Sequence, residues 1–280
     1  MIARETHSIA ITVDYRMGPL AQFPAALEDA EDVLAAILDS QSQTPAGKHL
    51  RKFISRKALG RFHRQTDLLD ATRITLSGFS SGGNIALNLI TSVSTPEVKW
   101  PSLLPKDRSH PIPTLLFFPN FDQTLPPHER PMLDTEQTAN PKSFMSGLSR
   151  VLGPTYLPGN TNLHPRASPG LQNMSEGLHP RAELFLVLPE LDSLAVQSND
   201  WLEKMRREGR DSCLVVERAK GMRHGWTQFP DKFLTEEEKR VKYQIFDRTL
   251  EFLRDVQGKG GISAGSSQGG GYEMDGLRAG

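Results

Sequence analysis

The sequence predicts an α/β protein: a mostly parallel open sheet with helices on both faces. Three observations lead there. Strand-like and helix-like signals alternate along most of the chain, the pattern of successive βα units. Ala182-Glu183-Leu184-Phe185-Leu186-Val187-Leu188 is a dense apolar run, as a strand covered on both faces must be. An apolar β run, Arg73-Ile74-Thr75-Leu76-Ser77, meets a helix-like run, Asn84 to Ile90, through Gly78-Phe79-Ser80-Ser81-Gly82.

In chain order, strands are expected at Ile9–Tyr15, Arg73–Ser77, Thr114–Pro119, Glu183–Leu188 and Cys213–Arg218. Helices are expected at Pro24–Ser40, Ser81–Thr91, Pro141–Leu152, Ala195–Glu208 (closed by Gly209) and Glu236–Val256. Lys48 to Arg64 is a basic insert without an acid, which suits either a solvated helix or mobile loop, or contact with an anionic surface. Thr95 to Pro113 is polar and Pro-rich, and reads as loop. Gly258 to Gly280 is rich in Gly and Ser and reads as disordered. Residues 1–256 therefore form one expected domain, and 257–280 a tail.

A length of 280 residues is ample for one large core. The formal net charge is zero, so nothing global favours a nucleic-acid partner. One cysteine, Cys213, excludes an internal disulfide, and its place in an expected strand points to a buried structural thiol. Without a CxxC or His/Cys cluster, neither a metal nor a cofactor is expected. No run approaches the roughly 20 apolar residues of a membrane span. The N-terminus lacks the cationic flank and apolar stretch of a signal peptide, so a cytoplasmic location is expected. The oligomeric state is left open.

Gly78 to Gly82 fits G-x-S-x-G. A serine hydroxyl is a poor nucleophile unless a base takes its proton and the backbone holds it clear of the sheet. A tight strand-to-helix turn does the holding, with glycines at both ends where a Cβ would clash. The new helix aims its first amide, that of Ser81, at the forming oxyanion. Gly and Ser are common, and the bland reading is a βα turn with a Ser N-cap. A base and an orienting carboxylate should follow in the order Asp/Glu, then His. Asp192 lies just past the strand ending at Leu188, where open α/β sheets form sites. His224 lies past the next strand, in Gly221-Met222-Arg223-His224-Gly225-Trp226. Each has a plain alternative: Asp192 as a helix N-cap, Glu190 as a rival acid, His224 as a surface histidine. The other seven histidines lack this context.

These residues resemble the hormone-sensitive-lipase-like group of α/β-hydrolases, carboxylesterases and lipases, from about Ile9 to Phe252. Val13-Asp14-Tyr15-Arg16 and Phe23-Pro24-Ala25-Ala26-Leu27-Glu28-Asp29-Ala30 are similar to that family's strand-4 exit and following helix. Gly78 to Asn84 resembles its elbow, Arg166-Ala167-Ser168-Pro169 the lead into its acid-bearing strand, and Leu191-Asp192-Ser193-Leu194 its acid loop. The resemblance implies Ser80 as nucleophile, His224 as base then acid, and Asp192 as orienting carboxylate, with a small-molecule ester as substrate. It also implies a lid, here reduced, over about 120–160. Phe79 stands where the family usually has an acid, and Ser193 where it has Pro. The family's H-G-G-G oxyanion loop occurs nowhere in the sequence. The expectation is thus an N-terminally truncated member: a shortened gene model, a splice form or a decaying paralogue. Three functions follow: an ester hydrolase, impaired by the missing loop; a non-catalytic relative; or a binding protein on the same scaffold.

Overall fold

The computed structural model describes residues 2–62, 69–126, 129–131 and 155–261, with the side chains of 58–62 and 259–261 excepted. The element order is α1 (Ile2–Glu5), α2 (Ala25–Leu38), α3 (Pro45–Phe62), β1 (Leu76–Phe79), α4 (Ser81–Leu89), β2 (Val93–Ser94), β3 (Lys99–Trp100), β4 (Ile112–Phe117), α5 (Met174–Gly177), β5 (Ala182–Leu191), α6 (Ala195–Arg207), β6 (Leu214–Arg223) and α7 (Glu236–Gly261). Strands β1-β4-β5-β6 pair in that order as a parallel sheet, and β2 and β3 form a small antiparallel hairpin.

Successive residues of a strand point to opposite faces, and here both faces are covered. Leu184, Leu186 and Leu188 of β5 join Ile112 and Leu116 of β4, Leu27 and Leu34 of α2, Ile85 and Leu87 of α4, and Trp201 and Met205 of α6 in one layer. Phe185 and Val187 join Leu115 and Phe117 with Ile245, Phe252, Leu253 and Val256 of α7 in the other. A two-sided core is why β4 and β5 read as unbroken apolar runs rather than alternating ones.

Four expectations change. Residues Ile9–Tyr15 form no strand. Ile11, Val13 and Tyr15 are half-buried and Ala10, Thr12 and Asp14 exposed, so the two-residue alternation survives without a ladder. The segment leans on the core through side chains, and Arg16 pins it: its backbone N–H donates to Asp29 Oδ2 at 2.7 Å and its Nε to Asp29 Oδ1 at 2.9 Å. Cys213 sits in a 3₁₀ turn ahead of β6, half-buried, and donates to the Arg210 carbonyl at 3.1 Å. Burial pushes its thiol pKa up. The expected loop from Thr95 contains β3 and the start of β4, whose Ile112 has no exposure because it heads the buried ladder. Helix α7 runs on to Gly261, past the expected domain end.

The basic insert forms α3, and one of its cations turns inward. Arg51 donates to the carbonyls of Asp39 at 3.1 Å and Ile37 at 3.3 Å, tying α3 to the end of α2. The expected helix Pro141–Leu152, most of the expected lid and the tail after Gly261 lie outside the described residues. Among the described residues, no helix is long and apolar enough to cross a membrane.

Candidate active site

The elbow begins inside the sheet. β1 ends at Phe79, which registers with Phe117 of β4, and the next amide, Ser80 N–H, still donates to the Phe117 carbonyl at 2.9 Å. Ser80 then takes φ 53° and ψ −114°. That is a left-handed backbone for a residue with a Cβ, a strain of roughly 1–3 kcal/mol that surrounding contacts must hold. Its carbonyl accepts from Asn84 N–H at 3.2 Å and from Asn120 N–H at 3.3 Å. Ser80 occupies the N-cap position of α4, yet its side chain makes no cap hydrogen bond.

The glycines act differently from the sequence expectation. A Cβ on Gly78 would fall 2.0 Å from the Gly82 carbonyl oxygen and 2.1 Å from its carbon. A Cβ on Gly82 would meet nothing within 4 Å, whereas one on Gly83 would lie 2.7 Å from Pro119 Cβ. The close approaches of this turn are therefore at Gly78 and Gly83, one residue beyond the motif. Phe79, where the resembling family has an acid, stacks on Phe117 with centroids 4.5 Å apart. It is a packing residue of the α7-side core.

Asp192 and His224 are placed by one register pair. Leu191 of β5 pairs with Arg223 of β6, after a register shift between Pro189 and Leu191. Asp192 and His224 are the next residues of each chain segment, so they leave neighbouring strands side by side. His224 Nδ1 lies 2.7 Å from Asp192 Oδ2, and His224 Nε2 lies 3.0 Å from Ser80 Oγ. The Asp192 side chain is 1% exposed and that of His224 39%. Asp192 Oδ1 also accepts from Leu194 N–H at 2.9 Å, while Leu194 holds the N-cap position of α6. So Asp192 closes a turn ahead of the helix and keeps its other oxygen for the imidazole. Glu190 does a separate job: its Oε2 accepts from Gly221 N–H at 2.8 Å, stitching the ends of the two strands. Burial pushes the Arg130 guanidinium pKa down, opposed by the charges of Asp122 and Asp192.

Two supports were given no role by the sequence reading. Phe118 follows β4 with φ 39°, a conformation bulky residues rarely adopt. Its N–H donates to Val187 O at 2.8 Å, and its ring meets the His224 imidazole edge-on at 4.9 Å. Behind the elbow, Asn84 Nδ2 donates to the carbonyls of Asn120 at 2.8 Å and Ala167 at 3.0 Å, and Asn88 Nδ2 donates to Arg166 O at 3.0 Å. Arg166, fully buried, donates to Asn88 O at 3.1 Å, pairs with Glu31 of α2 and lies 4.4 Å over the Trp100 ring. These residues are far apart in sequence and have ordinary alternative uses.

The seven other histidines stay apart from this arrangement in the sequence pattern, and His179 shows why a buried histidine need not be reactive. It is 3% exposed, with Nε2 3.0 Å from the Pro105 carbonyl oxygen and Nδ1 accepting from Arg181 N–H at 3.0 Å. Burial pushes its pKa down.

Residues 1–228 match the family model described as alpha/beta hydrolase fold. The chain belongs to the alpha/beta hydrolase fold family. Among curated proteins no relative matches. Solved esterases share the fold of this alpha/beta hydrolase. A hyperthermophilic esterase from the archaeon Pyrobaculum calidifontis is 20% identical, with TM-score 0.61, over 92% of this chain and 68% of its own. Carboxyl esterase 2 from the mycorrhizal fungus Tuber melanosporum is 18% identical, with TM-score 0.59, over 91% and 70%. An esterase from the bacterial hormone-sensitive lipase family is 22% identical, with TM-score 0.57, over 91% and 68%. The α/β fold and esterase-like architecture expected from the sequence stand.

Proposed function

We propose that this protein is a serine carboxylester hydrolase acting on a small-molecule ester. The observation that carries the reading is the unbroken line of contacts from Asp192 through His224 to Ser80, at 2.7 and 3.0 Å. Ser80 Oγ attacks the ester carbonyl carbon as its proton passes to His224 Nε2. Asp192 holds the imidazole through Nδ1–H and stabilises the imidazolium. The tetrahedral oxyanion faces the Ser81 amide, an N–H of the first turn of α4 that has no partner within the helix. Collapse breaks the carbon–oxygen bond to the alcohol, which leaves with the proton from Nε2. Water then attacks the acyl-enzyme, gives its proton to His224, and Ser80 departs with that proton as the acid is released.

The strained backbone at Ser80 supports the same roles, since a side chain that declines its helix cap is held for another partner. The sequence's lack of an H-G-G-G run favours a second reading, a folded relative without turnover. A fluorophosphonate probe separates them. Labelling of the wild type and not of Ser80→Ala, with turnover of a short chromogenic ester, is the expected outcome. A folded wild type that neither labels nor turns over assigns the chain to the second reading.

A further inference from the structure

The Tyr15 hydroxyl lies 3.2 Å from Ser81 Oγ. Ser81 is the first residue of α4, and its amide is the oxyanion donor of the reaction proposed above. Tyr15 reaches this point from 66 residues upstream, on the segment that lacks a ladder. Two anchors hold it: its ring packs on the α2-side core, and the next residue, Arg16, is clamped to Asp29 through backbone and side chain. The phenol is therefore positioned by its own side of the contact, independently of Ser81. The Ser81 hydroxyl is exposed and keeps the phenol partnered in the resting protein.

We infer that the Tyr15 phenol is a second donor to the oxyanion, beside the Ser81 amide. This rests on the ester-hydrolase reading. A tetrahedral oxyanion concentrates a full charge that one amide satisfies incompletely. A phenol O–H is a strong neutral hydrogen-bond donor. In the resting state it is paired with a neutral hydroxyl; in the transition state the same O–H turns to a charged oxygen. Charge-assisted hydrogen bonds are about twice as strong as neutral ones. The interaction thus strengthens as the reaction proceeds, which is the condition for raising kcat rather than only binding substrate. The Tyr15 O–H donates to the oxyanion and transfers no proton.

The test is Tyr15→Phe, which keeps the ring in its packing and removes one oxygen. Turnover of a short chromogenic ester should fall on the order of 10²-fold in kcat, the typical cost of one oxyanion donor, with KM held and the melting temperature unchanged. The same Tyr15→Phe loss is then measured in a Ser81→Ala background, which retains the amide. A donor role predicts the same fractional loss there. If the loss disappears in that background, Tyr15 only steadies Ser81 and the inference falls. Equal kcat with and without the phenol also overturns it, as does a loss that tracks a lowered melting temperature. Fluorophosphonate labelling of Ser80 keeps the two ideas separable. A labelled, active wild type with an unaffected Tyr15→Phe overturns the inference alone, whereas an unlabelled, inactive wild type removes the hydrolase reading with it.

Discussion

The two halves of the candidate site are held by different physics. Asp192 and His224 leave the adjacent strands β5 and β6 at one register pair, and a carboxylate–amide contact, Glu190 to Gly221, ties the strand ends. Their placement follows from a ladder of ten-residue strands. Ser80 leaves β1, only four residues long, and depends on crowding and on side chains from distant segments. Gly78 and Gly83 permit the turn, Asn120 and Asn84 hold its carbonyl, and the Glu31–Arg166 pair lies behind. The difference teaches that the acid–base side should tolerate packing changes that the elbow side does not.

The largest expected effect breaks the acid–base side without touching its fold. Asp192→Asn should lower kcat by about 10⁴-fold by favouring the wrong imidazole tautomer. Glu190→Gln, which keeps an acceptor for Gly221, should cost far less. Steady-state kinetics on the pair decide which carboxylate orients His224, and a larger loss for Glu190→Gln than for Asp192→Asn would make Glu190 the better candidate.

On the elbow side the corresponding blow is to stability. Glu31→Ala leaves the Arg166 guanidinium, fully buried, without its carboxylate. Removing one partner of a buried ion pair typically costs about 3–5 kcal/mol. Burial already drives the Arg166 pKa down, with Glu31 opposing it. Chemical denaturation should show the midpoint fall.

Two glycines of one motif sharpen the comparison. Gly78→Ala forces a Cβ onto backbone atoms that cannot rotate away, and should destabilise by about 3 kcal/mol or more. Gly82→Ala meets open space in a helix, where Ala is favoured over Gly by about 0.5–1 kcal/mol. Its melting temperature should hold or rise.

The smallest effect concerns the turn that leads into β1. Asp70 accepts from Thr72 Oγ1 at 2.5 Å and from Arg73 Nε at 2.6 Å, and its pKa is lowered to about 2, chiefly by the Thr72 hydrogen bond. A depressed folded value means its stabilisation is whole above the unfolded value of 3.8 and is lost as pH falls through about 2. An NMR titration of the Asp70 carboxyl should find the low value, and Thr72→Ala should raise it toward the ordinary one. The effect on stability is small because the carboxyl is 40% exposed and screened.

Much of the sheet was legible in the sequence. β5 lies where an apolar run puts it, because a strand buried on both faces has little choice of composition; β6, at the sheet edge and half-exposed, runs on to Arg223, five residues past its expected end. The order Ser80, Asp192, His224 was legible too, since each follows a strand end. Ile9–Tyr15 was misread for a physical reason: period-two burial reports which side faces the core, not whether a neighbour completes a ladder. Phe79 looked like a departure from a family pattern, yet its stacking on Phe117 is an ordinary packing role that a lone residue letter does not reveal. The left-handed Phe118 and the buried Glu31–Arg166 pair had no local signal. Phe is not a residue that favours positive φ, and 135 residues separate the two charges.

Among the described residues, β1 has a ladder neighbour on one flank only, β4. Strands bonded on a single flank exchange their amides sooner than central ones, because fewer bonds must open together. The proposed nucleophile thus rides on an edge strand that is also the shortest of the four. On warming, catalytic power should disappear at temperatures where circular dichroism still reports intact helices.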